Sequence, residues 1–234
     1  MKVLELYSGT QCISNTFREA GHEVLSVELN DKFTKPPYNL DQWTISVSDV
    51  TVKQIIKRLG GLPDVVWASP MCTTESNMAI SHHRTCIKGH GRTQALQKRN
   101  NSIIAKSDEA ILHDQVLLDM LCLLQDLKPM VYYIENPMAG MRKNPLMRGV
   151  MYRHTITYCS YGDKSMKPTD IWTNHPDPKF KKKCHNGNKE CHHESAPRGS
   201  RTGTQGKKDN TERSKIPQEL CNHIVKISEE LINE

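Results

Sequence analysis

An α/β fold with a doubly wound, mostly parallel sheet is the fold class that the sequence predicts. Runs of β-branched and aromatic residues alternate with amphipathic segments of helical period, an order typical of parallel sheets flanked by helices. The apolar run at 64–69 breaks at Pro70 and leads to Cys72, and a second run at 130–137 carries Glu135. Because ligands bind at the carboxyl ends of parallel strands, we expect this thiol and this carboxylic acid side by side.

The first half of the chain predicts strands and two helices. Each strand is a short run of apolar, β-branched or aromatic residues. Both helices end at a glycine, Gly21 or Gly60, which is a common helix stop. The predicted strands span 2–7, 22–28, 43–47 and 64–69, and the predicted helices span 14–20 and 53–59.

The second half predicts the longest helix, over 107–127 and closed by Pro129, and a final amphipathic helix that begins at 215. Further strands are predicted at 130–137, 155–161 and 170–173. The predicted apolar faces are Ile111, Leu117, Leu118, Leu121 and Leu124 in the long helix, and Leu220, Ile224, Ile227 and Leu231 in the last.

Composition narrows the class of protein. The chain has 234 residues, of which 36% are hydrophobic, and this suits one large domain or one domain with an appendage. Its net charge of +6 indicates a moderate preference for polyanionic partners. The sequence shows no signal peptide and no apolar run of the ~20 residues that span a bilayer. Eight cysteines in such a chain predict reduced thiols. We therefore expect a soluble cytoplasmic protein without membrane contact.

The stretch 73–105, directly after Cys72, lacks periodicity and is rich in basic residues. It carries His82, His83, Arg84, Lys88, His90, Arg92, Lys98 and Arg99. One interpretation is a lid over an anionic substrate, and the other is a solvated surface loop.

The first strand, its turn at Ser8-Gly9 and Glu28 about twenty residues on predict a nucleotide-type cofactor unit. Backbone amides of the turn would meet the ligand, and the carboxylate would take ribose hydroxyls. The pyrophosphate fingerprint G-x-G-x-x-G is absent, which suits a cofactor with a ribose but no phosphate.

Seven short motifs follow one another along the chain, namely ELYSG at 5–9, AGHEV at 20–24, VE at 27–28, SPMC at 69–72, IENP at 134–137, YG at 161–162 and KPTDIW at 167–172. In this order they resemble the motifs of the cytosine-C5 DNA methyltransferases, most of all their compact phage and prophage members. The first three correspond to the first cofactor motifs of that family, SPMC resembles its Pro-Cys nucleophile motif and IENP its Glu-Asn motif. The last two lie where the next motif of the family is expected. The resemblance covers 1–174, with a weaker echo at 216–224, and implies the Rossmann-like fold of the S-adenosylmethionine-dependent methyltransferases.

The resemblance also implies the cofactor and its contacts. S-adenosylmethionine would lie over the turn Ser8-Gly9-Thr10, with Tyr7 facing the adenine. Glu28 would bind the ribose and Asp49 the adenine amino group. The implied cofactor-binding residues are Tyr7, Ser8, Gly9, Thr10, Glu28 and Asp49.

For the reaction, the resemblance implies that the thiolate of Cys72 adds to C6 of cytosine while Glu135 binds N3. C5 is a poor nucleophile until that addition, after which it can take the methyl group. A cytosine in duplex DNA must first be flipped out of the stack. The expected activity is that of a DNA (cytosine-5-)-methyltransferase acting on DNA as a monomer.

The chain departs from the family pattern at several positions. Gln11 and Cys12 stand where glycines are usual, Met71 where proline is usual, Glu75 where an aromatic residue is common, and Lys167 and Thr169 where paired arginines are usual. Two alternatives therefore stay open: a nucleic-acid-binding protein that keeps the fold without turnover, and the same chemistry on RNA.

Three regions are predicted along the chain: a catalytic domain at 1–174, a reduced target-recognition segment at 175–214 and a C-terminal helix at 215–234 that packs back on the catalytic domain. The middle segment is short, so we expect recognition of a short or relaxed target sequence. Its cations, which suit phosphate contacts, are Lys179, Lys181, Lys182, Lys183, Arg198, Arg201, Lys207 and Lys208.

The middle segment also gathers thiols and imidazoles, namely Cys184, His185, Cys191, His192 and His193. A zinc site would explain how a polar segment keeps a shape without a core. However, Cys-x6-Cys is not a usual zinc-knuckle spacing. The sequence favours a disordered basic loop and no metal ligands, and Cys159 is interpreted as a structural thiol.

Overall fold

A seven-stranded sheet forms the centre of the molecule. The computed structural model describes residues 1–36, 38, 42–196, 204, 207 and 209–233, with all their side chains except those of Thr34, Lys98 and Arg99. Three cations of the predicted recognition segment, Arg198, Arg201 and Lys208, lie outside the described residues.

The strands and helices follow the predicted alternation. The strands are β1 Lys2–Leu6, β2 Glu23–Glu28, β3 Trp43–Thr44, β4 Val65–Ala68, β5 Arg84–Ile87, β6 Ser102–Ala105, β7 Val131–Pro137, β8 Tyr152–Thr157 and β9 Pro168–Thr173. The helices are α1 Cys12–Glu19, α2 Val52–Leu59, α3 Ile80–His83, α4 Gln94–Arg99, α5 Asp108–Leu127, α6 Asn210–Ser214 and α7 Gln218–Asn233.

The order of the main sheet is β3-β2-β1-β4-β7-β9-β8. All neighbours from β3 to β7 pair in parallel, and β9 runs antiparallel to both β7 and β8. The order turns back on itself between β1 and β4, which creates the crevice at which open α/β sheets bind ligands. This topology confirms the predicted doubly wound, mostly parallel sheet.

Helices cover both faces of the sheet, because alternate strand residues point to opposite sides. On one face, Leu4 and Leu6 pack with α2 and α5 in a buried cluster. On the other face, Val3 and Trp67 pack with α1 and α7. In α7, the predicted face is buried at Leu220, Ile224 and Ile227, and Leu231 packs at its edge.

The stretch 73–105 is more ordered than its composition predicts. It contains a two-stranded antiparallel sheet of β5 and β6, with the short helices α3 and α4 beside it. Arg84, counted among the lid cations, is buried at 4% exposure, whereas Lys88, His90 and Arg92 are exposed. The prediction of a long loop over 73–105 is wrong because cross-strand pairing, which needs no long periodic run, forms this small sheet.

Other predicted bounds also need correction. The strand predicted at 155–161 lies at Tyr152–Thr157, and a 3-10 turn at Tyr158–Tyr161 follows it. The strand predicted at 43–47 is only two residues long. The buried face of α5 was predicted wrongly in part. Ile111 and Leu118 are exposed, while Ala110, Val116, Met120, Leu123 and Leu127 join Leu117 and Leu124 in the core.

From 174 to 196 the chain has no helix or strand, and it lies against the turn Tyr158–Tyr161 and the residues after it. The composition predicts irregular chain over 175–214, and this is wrong at Asn210–Ser214, where α6 forms. Cys184 donates its backbone N–H to Thr157 Oγ1 at 2.9 Å, and Glu194 donates its own to the Lys164 carbonyl at 3.0 Å. None of the described helices combines the length and apolar character that crossing a membrane requires.

Candidate active site

The turn between β1 and α1 is the first part of the site. Its backbone is left-handed at Tyr7, Gly9 and Gln11, with φ of 57°, 47° and 58°. Ser8 is buried, and its hydroxyl contacts the Val27 carbonyl at 3.2 Å and Gln42 Oε1 at 2.8 Å. The Ser8 side chain therefore holds the turn to β2, and a ligand would meet the backbone and the neighbouring side chains.

Glu28, at the end of β2, lies against this turn. Its carboxylate accepts the N–H of Gly9 at 2.7 Å through Oε2 and that of Asn30 at 2.8 Å through Oε1. A carboxylate oxygen has more than one lone pair, so both oxygens can still accept a hydroxyl from a ligand in the crevice.

The other predicted cofactor residues lie at or after the ends of neighbouring strands. The Tyr7 hydroxyl donates to the Val116 carbonyl of α5 at 3.3 Å, and Thr10 Oγ1 lies 3.1 Å from Cys12 Sγ. Asp49 is exposed at the end of a short 3-10 turn after β3. The structure thus brings these residues to the carboxyl ends of β1, β2 and β3.

Cys72 follows β4, and Glu135 lies near the end of the neighbouring strand β7. The parallel register pairs Ala68 with Ile134, so the two functional residues leave adjacent strands at the same edge. The Asn136 amide donates to the Pro70 carbonyl at 2.9 Å and fastens the cysteine loop to β7. This arrangement places a half-buried thiol beside a buried carboxyl group.

Charges around Cys72 oppose one another. Burial raises the pKa of the Cys72 thiol above its usual range, the Glu135 carboxylate raises it further, and the Lys167 ammonium lowers it. At neutral pH the thiol is therefore protonated in the free protein. A bound ligand that displaces water or takes up the charge of Glu135 would change this balance.

Two residues that the sequence did not assign complete the site around Glu135. The Tyr158 hydroxyl donates to Glu135 Oε1 at 2.8 Å. Burial and the neighbouring Glu135 raise the pKa of this phenol well above its usual range, so it remains a donor. Lys167 Nζ lies 3.9 Å from Glu135 Oε1 and 4.3 Å from the centre of the Tyr158 ring.

A buried polar network supports the cysteine loop from behind. Arg84 donates from NH1 to both oxygens of Asp114 at 2.8 and 3.1 Å, and its NH2 lies 3.3 Å from Glu75 Oε1. Asn144 donates to Glu75 Oε1 and to Asp114 Oδ1, each at 2.8 Å. Glu75, which follows Cys72 in the same turn, thus anchors that turn to β5 and α5.

The predicted phosphate-binding cations differ in their availability. Lys179, Lys182 and Lys183 are exposed. Lys181 pairs with Glu219 at 2.6 Å, and Lys207 pairs with Asp163 at 2.5 Å in a partly buried position. Because Lys207 is largely buried and its charge is paired with Asp163, it contributes little to a phosphate-binding surface.

The fold and the site define a Rossmann-like α/β protein with a thiol and a carboxylic acid at adjacent strand ends. No protein-family model matches the chain. No curated protein matches it either.

The solved structures that are similar to the chain include the following three. One is assigned as a DNA modification methyltransferase encoded within an E. coli prophage, with a TM-score of 0.49 and 14% identity over 74% of this chain and 46% of that one. The S. pombe Dnmt2 methyltransferase gives 0.47 and 15% over 74% and 49%. A triple mutant of Spodoptera frugiperda DNMT2 gives 0.44 and 17% over 79% and 53%. The chain spans about half the length of these proteins.

Proposed function

We propose that this protein is an S-adenosylmethionine-dependent methyltransferase that methylates C5 of cytosine in DNA through a covalent Cys72 adduct. The observation that carries the proposal is the meeting of Cys72, Glu135 and Lys167 at the ends of β4 and β7, beside the turn of β1. A thiol, an acid and a cation in one crevice are the groups that nucleophilic addition to an electron-poor ring requires.

Cys72 is the nucleophile in this proposal. Its thiol gives up a proton to solvent water, and the thiolate forms a bond to C6 of the flipped cytosine. The ammonium of Lys167 stabilises the thiolate electrostatically, which opposes the raised pKa that burial imposes. After methyl transfer, solvent water takes the C5 proton, the electron pair of that C–H bond re-forms the C5–C6 double bond, and the bond between Cys72 and C6 breaks to release the thiolate.

Glu135 is the group that binds the base. Its carboxyl group would contact N3 of the cytosine and donate a proton to it when Cys72 adds to C6. The adduct then carries increased electron density at C5. Tyr158 and Lys167 hold this carboxyl group in place from the protein side. A carboxyl group with fixed orientation favours one ring edge over others.

The cofactor crevice suits S-adenosylmethionine. When bound, S-adenosylmethionine supplies an activated methyl group. Glu28 fits the ribose hydroxyls because each of its oxygens takes one backbone N–H and keeps a further lone pair. In this proposal Tyr7 faces the adenine and Asp49 accepts a hydrogen bond from its amino group.

DNA is the proposed substrate because exposed cations follow the nucleophile along the chain. Lys88, His90 and Arg92 are exposed on the β5–β6 unit that begins after the Cys72 loop. Such a surface suits the phosphates flanking a flipped base. RNA presents the same phosphates, so the substrate class has to be decided by experiment.

A trapping experiment tests the covalent step. The full chain is incubated with S-adenosylmethionine and DNA containing 5-fluorocytosine, and covalent complexes are separated by denaturing electrophoresis. Fluorine at C5 cannot leave as a proton does, so we expect a stable adduct with the wild type. Cys72→Ala should abolish the adduct, and Cys86→Ala, which removes an exposed cysteine on β5, should leave it unchanged.

The same experiment with 5-fluorocytosine RNA separates the alternatives. An adduct on DNA alone supports the proposal, whereas an adduct on RNA alone would show that RNA is the substrate of the same reaction. If neither polymer gives an adduct although both bind, the protein is a binder without turnover. An adduct that persists in Cys72→Ala would rule out Cys72 as the nucleophile.

A further inference from the structure

Four metal-binding side chains meet next to the turn that carries Tyr158. The sulfurs of Cys159, Cys184 and Cys191 and a ring nitrogen of His193 all lie within 4.8 Å of one another. Cys159 lies in the turn Tyr158–Tyr161, and the others lie in the segment that follows β9. From this geometry we propose that the protein binds one structural zinc ion through Cys159, Cys184, Cys191 and His193.

The donor set indicates the metal and its role. Three thiolates and one imidazole form a soft, four-ligand set of the kind that zinc takes in tetrahedral structural sites. With four protein ligands there is no open position for a substrate or water, so the ion is not catalytic. On binding, each of the three thiols releases its proton to solvent as a sulfur–metal bond forms.

His193 gives an independent indication of a ligand. This histidine is buried at 5% exposure. Its Nδ1 lies 3.8 Å from Cys184 Sγ, a separation typical of two ligands on one ion. One imidazole gives one nitrogen to an ion, so Nδ1, the nitrogen beside the sulfur, is the expected ligand.

The surroundings of Cys184 also suit a thiolate. The Asn188 amide donates to Cys184 Sγ at 3.4 Å. Such N–H···S contacts orient metal-bound thiolates and partly balance their charge. Asn186 and Ala196 close the loop with two hydrogen bonds, Asn186 Nδ2 to the Ala196 carbonyl at 3.2 Å and Ala196 N–H to Asn186 Oδ1 at 2.9 Å.

The segment needs such an ion because it has almost no core. Within 179–196, His193 is the one buried residue that the structure describes. Polar contacts with the surface contribute little net stability each, whereas a structural zinc site supplies folding free energy directly. The ion would replace the hydrophobic core that this segment lacks.

The site also connects the segment to the candidate active site. Cys159 directly follows Tyr158, whose hydroxyl holds Glu135. Zinc bound at Cys159 would therefore fasten the segment 181–196 to the turn that positions the acid.

Metal analysis of the full chain tests the proposal without any measurement of activity. After purification without added metal and passage through gel filtration, we expect about one zinc per chain by elemental analysis. Replacement by Co²⁺ should give the sulfur-to-metal charge-transfer and strong visible bands of a tetrahedral thiolate site. Cys191→Ser and His193→Ala should each lose most of the metal and these bands.

Matched variants make the result specific. Cys122→Ser and His185→Ala change an exposed cysteine and an exposed histidine outside the cluster, and both should keep the full metal content. If circular dichroism shows that Cys191→Ser is unfolded, the test rests on two other measurements. These are the metal content of His193→Ala and the number of free thiols in the wild-type protein. A chain free of zinc, a cluster variant with full zinc, iron in place of zinc, or a disulfide among the three cysteines would overturn the proposal.

Discussion

Lys167 is a buried cation that interacts electrostatically with both candidate catalytic residues. Its backbone is left-handed, with φ of 25°, and its Nζ donates to the Arg213 carbonyl at 2.9 Å. Burial lowers the pKa of the Lys167 ammonium, while Glu135 and Cys72 raise it. A non-glycine residue held in this conformation is strained, and strain of this kind is concentrated at functional sites.

The reactivity of Cys72 should follow these charges. Because the pKa of the thiol is raised, alkylation by iodoacetamide should be slow at pH 7 and rise only at alkaline pH. Lys167→Met should move the profile to higher pH, and Glu135→Gln should move it to lower pH, each changing the rate at a fixed pH by about tenfold. Peptide mass spectrometry after timed alkylation measures the rate.

The exposed Cys86 in the same samples serves as the reference thiol. Its rate should be the same in all variants. A Cys72 profile that does not respond to Lys167→Met would show that the ammonium does not stabilise the thiolate.

The sequence predicted the positions of Cys72 and Glu135 because both depend on local signals, an apolar strand that breaks at a proline turn. Tyr158 and Lys167 were not assigned, since they reach Glu135 only through the antiparallel pairing of β9 with β7 and β8. The sequence did offer one indication of Lys167, because this residue occupies a position where the resemblance expects an arginine. Gln11 occupies a position where glycine is usual in the family, and its left-handed backbone explains that preference.

At the scale of elements, the unit β5–α4–β6 and the cysteine loop are joined by the buried Glu75–Arg84–Asp114 network. Burial raises the pKa of the Glu75 carboxyl, while Asn144 and Arg84 lower it. Gly140 packs on the same loop so closely that a Cβ there would lie 2.8 Å from the Glu75 carbonyl oxygen. The loop is thus held from two sides.

Arg84→Met should strongly destabilise the protein because it leaves the buried Glu75 and the half-buried Asp114 without their cation. We expect a loss of about 3–5 kcal/mol in the free energy of unfolding, measured by urea denaturation. Lys226→Met breaks the exposed pair of Lys226 and Glu230 at 3.7 Å and should cost less than about 1 kcal/mol. Equal losses in the two variants would contradict the structural role of the network.

The elements that the sequence located poorly share a physical cause. The unit β5–α4–β6 and the two-residue β3 are too short for hydrophobic periodicity to mark them. The long helix α5 has apolar residues around most of its circumference, so its own pattern did not decide which face the sheet covers. Ile111 is exposed for this reason, although its spacing fits the predicted face.

At the scale of the whole molecule, the net charge of +6 is spread unevenly. Lys88 and Arg92 have no ion-pair partner within the part of the chain that the structure describes, while Lys207 and Lys181 are already paired. The cations available to a polyanion therefore include those of the β5–β6 unit.

Binding of duplex DNA should depend on salt through Lys88 and Arg92. For each single change to glutamine, the slope of log affinity against log salt should fall in magnitude by about 1. Fluorescence anisotropy over a salt series measures the slope. Lys226→Gln, on a helix packed against the other face of the sheet, should leave it unchanged, and an equal effect of all three changes would contradict this surface.

The carbonyl of Arg213 that accepts the hydrogen bond from Lys167 lies in α6, 46 residues further along the chain. Ribosomes extend chains from the amino end, so Cys72, Glu135 and Lys167 are synthesised before Arg213. Lys167 can therefore make this contact only after the chain has been synthesised through Arg213. The position of the ammonium beside Glu135 thus depends on a segment that is translated after both candidate catalytic residues.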